Sequence, residues 1–297
     1  MSIKEYEKTH STHIDIPENG DIWVICSPNE LALKKKMESV GTPLKDWNVS
    51  INYGIKTGCS DVFIIDNETK ETLSKEDPKS AEILKPILRG KNIKRYQAKW
   101  AGLWLIDTHN GYGNIPPIDV EHYPVVKKYL DRFYSQLEKR QDKGITPYNL
   151  RHCAYHAEFM RDKIVYPNMT KFLPFTLDST GKFTNEKCFI ITGHNLKFLV
   201  GILNSKIGAK WLRENCPKLA KEGRELSKIF FENIPIPTVV SENKKITCEV
   251  ESIVDNILLN KNRNIDTSKL EAQIDRLVYQ LYGLTNEEIN LVESTNI

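Results

Sequence analysis

Ile234-Pro235-Ile236-Pro237 is the feature that most restricts how this chain can fold. Each proline locks φ and lacks an N–H, and the residue before each is pushed toward extended backbone, so no helix runs through these four positions. The sequence obeys different periods on its two sides. Upstream, from Val49 onward, short apolar runs such as Val62-Phe63-Ile64-Ile65, Leu103-Trp104-Leu105-Ile106, Lys163-Ile164-Val165-Tyr166 and Cys188-Phe189-Ile190-Ile191 alternate with turn residues and predict strands. Leu196, Leu199, Leu203, Ile207 and Trp211 recur at three- and four-residue steps, which predicts one amphipathic helix laid on a sheet. Downstream, Ile246, Val250, Ile253 and Ile257 form one helical stripe, polar residues Asn260 to Asp266 interrupt it, and Leu270, Ile274, Leu277 and Leu281 form another.

The punctuation agrees with that division. Ser268 with Glu271 predicts a capping box, Gly283 a helix stop, and Thr285 with Glu288 the cap of a short final helix. Near the start, Ser27 with Glu30 predicts a capped helix from Pro28 to Ser39, closed by Gly41 and Pro43, after a short strand from Ile22 to Cys26. The expected fold class is α/β (mixed α+β), followed by an α-helical hairpin. Residues 1–47 read as a lead-in, 48–240 as the main domain and 241–297 as a spacer or docking hairpin.

With 297 residues and 40% hydrophobic content, the chain can bury a substantial core. No run of about eighteen apolar residues exists to span a bilayer, and the polar, charged N-terminus lacks the apolar stretch of a signal peptide, so a cytoplasmic protein is expected. The six cysteines lie far apart with no CxxC pair, which argues against a zinc ribbon or disulfide framework. Residues 241–297 carry a net charge of −4 and residues 1–240 a net +7, so a polyanion is expected to bind the latter part.

The residue patterns of reaction machinery are absent or incomplete. There is no glycine-rich cofactor turn and no Asn/Asp-Pro-Pro-aromatic turn, which an adenine-N6 methyltransferase needs to hold its flipped base; Asn114-Ile115-Pro116-Pro117 has an insertion, and Ile118 stands where the aromatic belongs. No P-loop occurs. Asp66, Glu68 and Lys70 loosely match a metal-dependent nuclease set, although a hairpin turn after an apolar strand explains the same residues. His152, Cys153 and His156, with Glu158, could approach one metal, but the usual closing ligand pair is missing. The chain is therefore expected to hold no catalytic residues, no metal site and no cofactor of its own.

Binding patterns are stronger. In the segment Lys85 to Tyr96, five basic residues fall in the eleven positions from Lys85 to Arg95 with no acid, and Ile87, Leu88 and Ile93 would anchor it to a core. Arg89, Lys91, Lys94 and Arg95 are thus candidates for neutralising phosphates. Lys56 and Thr57, between Gly54 and Gly58, form a second candidate loop, and Lys171 is a further candidate cation. Pro147-Tyr148-Asn149-Leu150-Arg151 offers Tyr148, Asn149 and Arg151 as base-reading candidates, because asparagine addresses adenine and arginine addresses guanine in the major groove. Residues 203–228 contain Lys206, Lys210 and five further cations, a face suited to a phosphate backbone. Three readings follow: sequence-specific duplex DNA binding, a metal-dependent DNA nuclease built on Asp66, Glu68 and Lys70, or a protein-interaction scaffold using Leu270, Ile274 and Leu277.

An ordered series of segments resembles one family. Ile51-Asn52-Tyr53-Gly54-Ile55-Lys56-Thr57-Gly58, Val62-Phe63-Ile64-Ile65-Asp66, Lys85 to Tyr96, Lys163-Ile164-Val165-Tyr166-Pro167, Phe189-Ile190-Ile191-Thr192-Gly193, Leu199 to Ser205 and Ile234 to Pro237 are similar to the TaqI-like C-terminal specificity domain. Ile274-Asp275-Arg276-Leu277-Val278-Tyr279-Gln280-Leu281-Tyr282-Gly283-Leu284 resembles the usual tail of such enzymes, and the likeness runs over residues 28–293. The resemblance implies a target recognition domain of adenine-N6 DNA methyltransferases and type IIG restriction-modification enzymes, whose partners are double-stranded DNA and a methyltransferase or nuclease domain or subunit. S-adenosylmethionine and Mg2+ would then belong to that parent or partner. The C-terminal hairpin resembles the spacer helices of type I specificity subunits.

Overall fold

A computed structural model describes residues 27–294. The expected strand from Ile22 to Cys26 lies outside them. The first elements are α1 (Pro28–Val40), β1 (Gly41–Pro43), β2 (Val49–Tyr53), α2 (Ser60–Phe63), β3 (Ile64–Ile65) and α3 (Asn67–Glu76). They are followed by β4 (Leu84–Leu88), β5 (Ile93–Lys94), β6 (Gln97–Ala98), β7 (Trp104–Ile106), α4 (Pro124–Asp131) and α5 (Tyr134–Lys139). Next come β8 (Lys163–Pro167), β9 (Met169–Thr170), β10 (Thr176–Asp178), β11 (Phe183–Thr184) and β12 (Cys188–Gly193). The remainder is α6 (Leu196–Asn204), α7 (Lys206–Asn215), β13 (Arg224–Glu225), α8 (Lys228–Phe231), β14 (Pro235–Pro237), α9 (Lys244–Asn262), α10 (Ser268–Leu281) and α11 (Asn286–Glu293).

The centre is an antiparallel sheet of order β10-β8-β12-β2. Its middle strands are buried along nearly their whole length, which is why they read as continuous apolar runs. Successive side chains point to opposite faces of a strand. Accordingly Ile164, Tyr166, Phe189 and Ile191 join one core with α6 and the C-terminal helices, while Val165, Cys188 and Ile190 join a second core with β4 and β7. That second core is covered by a mixed sheet of order β11-β4-β7-β3, in which only β11 runs parallel to its neighbour. The α/β fold class followed by C-terminal helices is thus the observed one.

The C-terminal helices share the first core. Val250, Val254, Ile257, Ile274 and Val278 pack there with Val200 and Leu203. Gly201 sets the approach of α6: a Cβ on it would lie 2.7 Å from Val250 Cγ1. The Ile-Pro-Ile-Pro exit runs extended as β14 and pairs antiparallel with β1, joining residues 41–43 to 235–237. The Tyr282 hydroxyl donates to Pro235 O at 2.6 Å. The segment read as a lead-in also enters this core through Leu33, Met37 and Leu44.

Caps held where the side chain could reach the backbone. Ser27 and Glu30 form the expected capping box, as do Thr285 and Glu288. Gly283 takes φ +62°, and Leu284 N–H donates to Tyr279 O in the manner of a Schellman stop. Elsewhere the structure differs. The cap of α10 is Thr267, whose hydroxyl donates to Glu271 Oε1, one residue before the expected Ser268. The single helix expected from Leu196 to Trp211 breaks at Ser205, whose side chain accepts from Gly208 N–H and starts α7. Val62 and Phe63 belong to a helical turn rather than a strand, and Asp66 caps α3 through Thr69 N–H instead of starting a hairpin turn.

Candidate nucleic-acid interface

The Lys85 to Tyr96 segment divides into buried anchors and outward cations. Lys85 sits within β4, and Ile87, Leu88, Ile93 and Tyr96 are buried. A one-turn 3-10 helix over Gly90–Asn92 turns the chain, closed by Arg89 N–H donating to Asn92 Oδ1 at 3.1 Å. Gly90 lies against the end of the central sheet, where a Cβ would meet Pro167 Cβ at 3.1 Å. Tyr96, at φ +56°, directs its N–H to Phe175 O. Between these fixed points Lys91 and Lys94 are exposed and Arg89 is half-buried.

These cations border a groove of about 1080 Å³, whose other walls are residues 167–174 and the 185–187 turn before β12. Of the expected backbone contacts, Arg89, Lys91, Lys94, Arg95 and Lys171 all line it. Sequence reasoning missed Lys187 and Lys261, and the apolar pair Met169 and Phe172, which are 63% and 70% exposed. A signal for part of this was present: Met169-Thr170-Lys171-Phe172 interleaves apolar residues with a cation between two strand ends. Among the described residues Arg89, Lys91, Lys94, Lys171 and Lys187 make no ion pair. Arg95 and Lys261 share Glu271, each at 3.0 Å, and Arg95 also donates to Asn204 O at 2.7 Å. Among the described residues only two acids, Asp61 and Glu186, line the groove.

The other expected contacts lie elsewhere. Lys56 is exposed, 5.5 Å from the centre of the Tyr53 ring, whereas Thr57 is buried with its hydroxyl 3.1 Å from that of Ser60. Lys206 pairs with Glu293, and Lys210 is buried and pairs with Glu214. The basic face expected over residues 203–228 is largely neutralised, since Lys218 and Lys228 also meet Glu222 and Glu232. Asn149 is only 2% exposed; its amide donates to Ile118 O at 2.8 Å and its Oδ1 accepts from Thr146 at 2.6 Å, so it cannot present itself to a base edge. The Tyr148 hydroxyl donates to Asp131, and burial together with that carboxylate pushes its pKa up. Arg151 is exposed but stands 3.0 Å from Asp142, away from the groove.

The residues weighed for chemistry are drawn into other bonds. The Asp66 carboxylate holds the start of α3, which also keeps its pKa lowered, and Lys70 meets Glu71. Buried His156 bonds Asp107 through Nε2, Glu158 pairs with Arg161, and burial pushes the Cys153 thiol up to about 11. Among the described residues no three His, Cys, Asp or Glu side chains gather as a metal cluster. The scaffold reading meets a similar obstacle, because Ile274 is fully buried in the shared core. No described helix is long and apolar enough to cross a membrane.

The family model of the TaqI-like C-terminal specificity domain matches residues 85–236, just over half of the chain. The chain belongs to this family. The match begins in β4 and ends in β14, so it contains most of the groove. Among curated proteins, the Type II methyltransferase M.PaeR7I of Pseudomonas aeruginosa is 19% identical over 279 residues, 92% of this chain and 45% of that protein. The Type II methyltransferase M.XhoI of Xanthomonas vasicola is 18% identical over 93% of this chain and 48% of its own length. This specificity-domain chain thus spans about half the length of the curated relatives it matches. Its fold is similar to part of the Type IIL restriction-modification enzyme MmeI, solved in complex with DNA, with a TM-score of 0.64 and 16% identity over 84% of this chain and 35% of that one. The type IIG restriction endonuclease BpuSI matches with a TM-score of 0.51 and 14% identity over 86% of this chain and 34% of that one.

Proposed function

We propose that this specificity-domain chain binds duplex DNA through the groove between the Arg89–Arg95 segment and residues 167–174, as the recognition module of a restriction-modification or adenine-N6 methylation system. The observation that carries the reading is the set of five unpaired cations on one concavity. Cations without an acidic partner are free to displace the counterions of a phosphate backbone, and that release supplies much of the affinity for DNA. Reaction chemistry would reside in the remainder of a longer parent or in a partner subunit, where S-adenosylmethionine and Mg2+ would bind. The restriction-modification setting is supported by the family and by the methyltransferase relatives, which extend well beyond the length matched here.

The test is titration of the full chain against a random-sequence duplex pool over a range of salt. Binding in dilute salt is expected, with log affinity falling linearly in log salt concentration. Lys91→Ala should weaken all sequences about equally and reduce the slope by about 1. A folded chain that attracted no duplex even in dilute salt would remove the proposal. Reproducible Mg2+-dependent plasmid cleavage by this chain, abolished by Glu68→Ala, would favour the nuclease reading instead.

A further inference from the structure

The groove contains a side chain of the wrong sign for a phosphate cradle. Glu186 lies on the short turn between β11 and β12 and lines the groove together with Asn168, the residue that follows β8. Glu186 Oε2 is buried and has no hydrogen-bond partner; the same is true of Asn168 Oδ1. Both residues are held at the end of the central sheet. Asn168 N–H donates to Lys187 O at 2.9 Å, and Pro167 stands opposite Cys188 in the β8–β12 register.

With one oxygen shut off from solvent and lacking a donor, the half-buried carboxylate gains from any donor that a ligand brings to its groove-facing side. A phosphate cannot supply one, because it carries charge of the same sign as a carboxylate. On the major-groove edge of a duplex, the groups able to donate to a carboxylate are the exocyclic amines of cytosine and adenine. The surrounding cations would hold the backbone while the carboxylate faces the bases.

We infer that Glu186 is a base-reading residue that accepts a hydrogen bond from an exocyclic base amine, with Asn168 addressing the same or the adjacent base. This rests on the DNA-binding reading above and adds the chemical class that its groove selects. A wrong base leaves the carboxylate unpaired in a closed site, so discrimination arises by penalty as much as by attraction.

The experiment selects bound duplexes from a random-sequence pool with the unaltered chain, Glu186→Met, Asn168→Ala and Lys187→Ala, each checked for an unchanged melting temperature. Glu186→Met, which keeps the length of the side chain but offers no oxygen acceptor, is expected to relax preference at one cytosine- or adenine-containing position by roughly tenfold or more. Its affinity for bulk duplex should be equal or higher, since a negative charge has gone, with the salt slope retained. Duplexes in which 2-pyrimidinone replaces the selected cytosine, or purine the selected adenine, should lower the affinity of the unaltered chain but not that of Glu186→Met; this arm tells the two bases apart. Lys187→Ala should weaken every sequence alike. Selected sequences identical for the unaltered chain and Glu186→Met, or an equal loss on all sequences, would overturn the assignment while leaving DNA binding intact. Failure of the unaltered chain to bind any duplex would overturn both.

Discussion

Lys85–Tyr96 and Lys139–Arg151 look alike as sequence, each a basic stretch with asparagine and tyrosine, yet the fold uses them in opposite ways. In the first, backbone donors satisfy the carbonyls: β4 pairs with β7, β5 pairs with β6, and Asn92 N–H closes onto Arg89 O. Arg89, Lys91 and Lys94 are left to project into the groove, while Lys85 stays within β4 and Arg95 is partly drawn to Glu271 and Asn204 O. The second is mostly irregular, so its carbonyls need donors from side chains. Arg140 supplies them, donating to the carbonyls of Thr57, Asp142, Pro147 and Asn149 from a nearly buried position. Burial lowers its pKa to about 10. Regular secondary structure releases polar side chains for binding, whereas irregular backbone consumes them.

The largest effect expected from this contrast is at Arg140. Arg140→Met should orphan several carbonyls and destabilise the fold by about 4 kcal/mol or more, read as a large drop in the urea midpoint. A variant as stable as the unaltered chain would break the comparison. Next is Lys163, fully buried in β8 and bonded to Asp178 at 2.7 Å. Lys163→Met leaves a buried carboxylate unpaired and should cost about 3 kcal/mol. The pH dependence has a definite sign. Burial alone would raise the pKa of Asp178, but Lys163, together with Thr180 and Lys182, more than offsets it and holds the carboxyl below its ordinary range. That stabilisation is present above the unfolded pKa and is lost as pH falls through the lower folded one. Asp178→Asn should therefore lose less further stability on acidification, in urea melts, than the unaltered chain does.

Smaller effects sharpen the groove itself. Arg89→Ala should leave the melting temperature nearly unchanged and lower the salt slope of duplex binding by about 1, while Lys210→Ala should leave the slope unchanged because that lysine is buried against Glu214. The smallest change is expected at Arg151, whose exposed pair with Asp142 is worth no more than about 1 kcal/mol. Arg151→Ala should alter neither stability nor base preference measurably. Relaxed preference at one position would extend the interface to the second basic stretch and blur the contrast.

The groove was legible in part for a physical reason. Arg89, Lys91, Lys94 and Arg95 share a segment with no acid, so their charge stands out locally. Lys187, Lys261 and Glu186 come from distant positions and carry no local signal; the turn before β12 and the end of α9 bring them to the same concavity. The cations of residues 203–228 are taken partly by distant acids, Glu293 for Lys206 and Glu30 for Lys210, which no local pattern records, and partly by Glu214, Glu222 and Glu232, each four residues on, whose spacing was a local signal. The break at Ser205 was hidden because apolar spacing continues across it, although the serine at that position is a cap.

By itself, the order of residues determined most element types: continuous apolar runs for the strands of the central sheet, a proline-locked exit, and helices marked by their own stripes and caps. These depend on backbone sterics and on contacts a few residues away, which neighbouring positions encode. Tertiary structure alone decided which polar groups remain free. Whether an arginine or asparagine faces DNA or a carbonyl depends on donors and acceptors brought from elsewhere in the chain, and no local pattern records them.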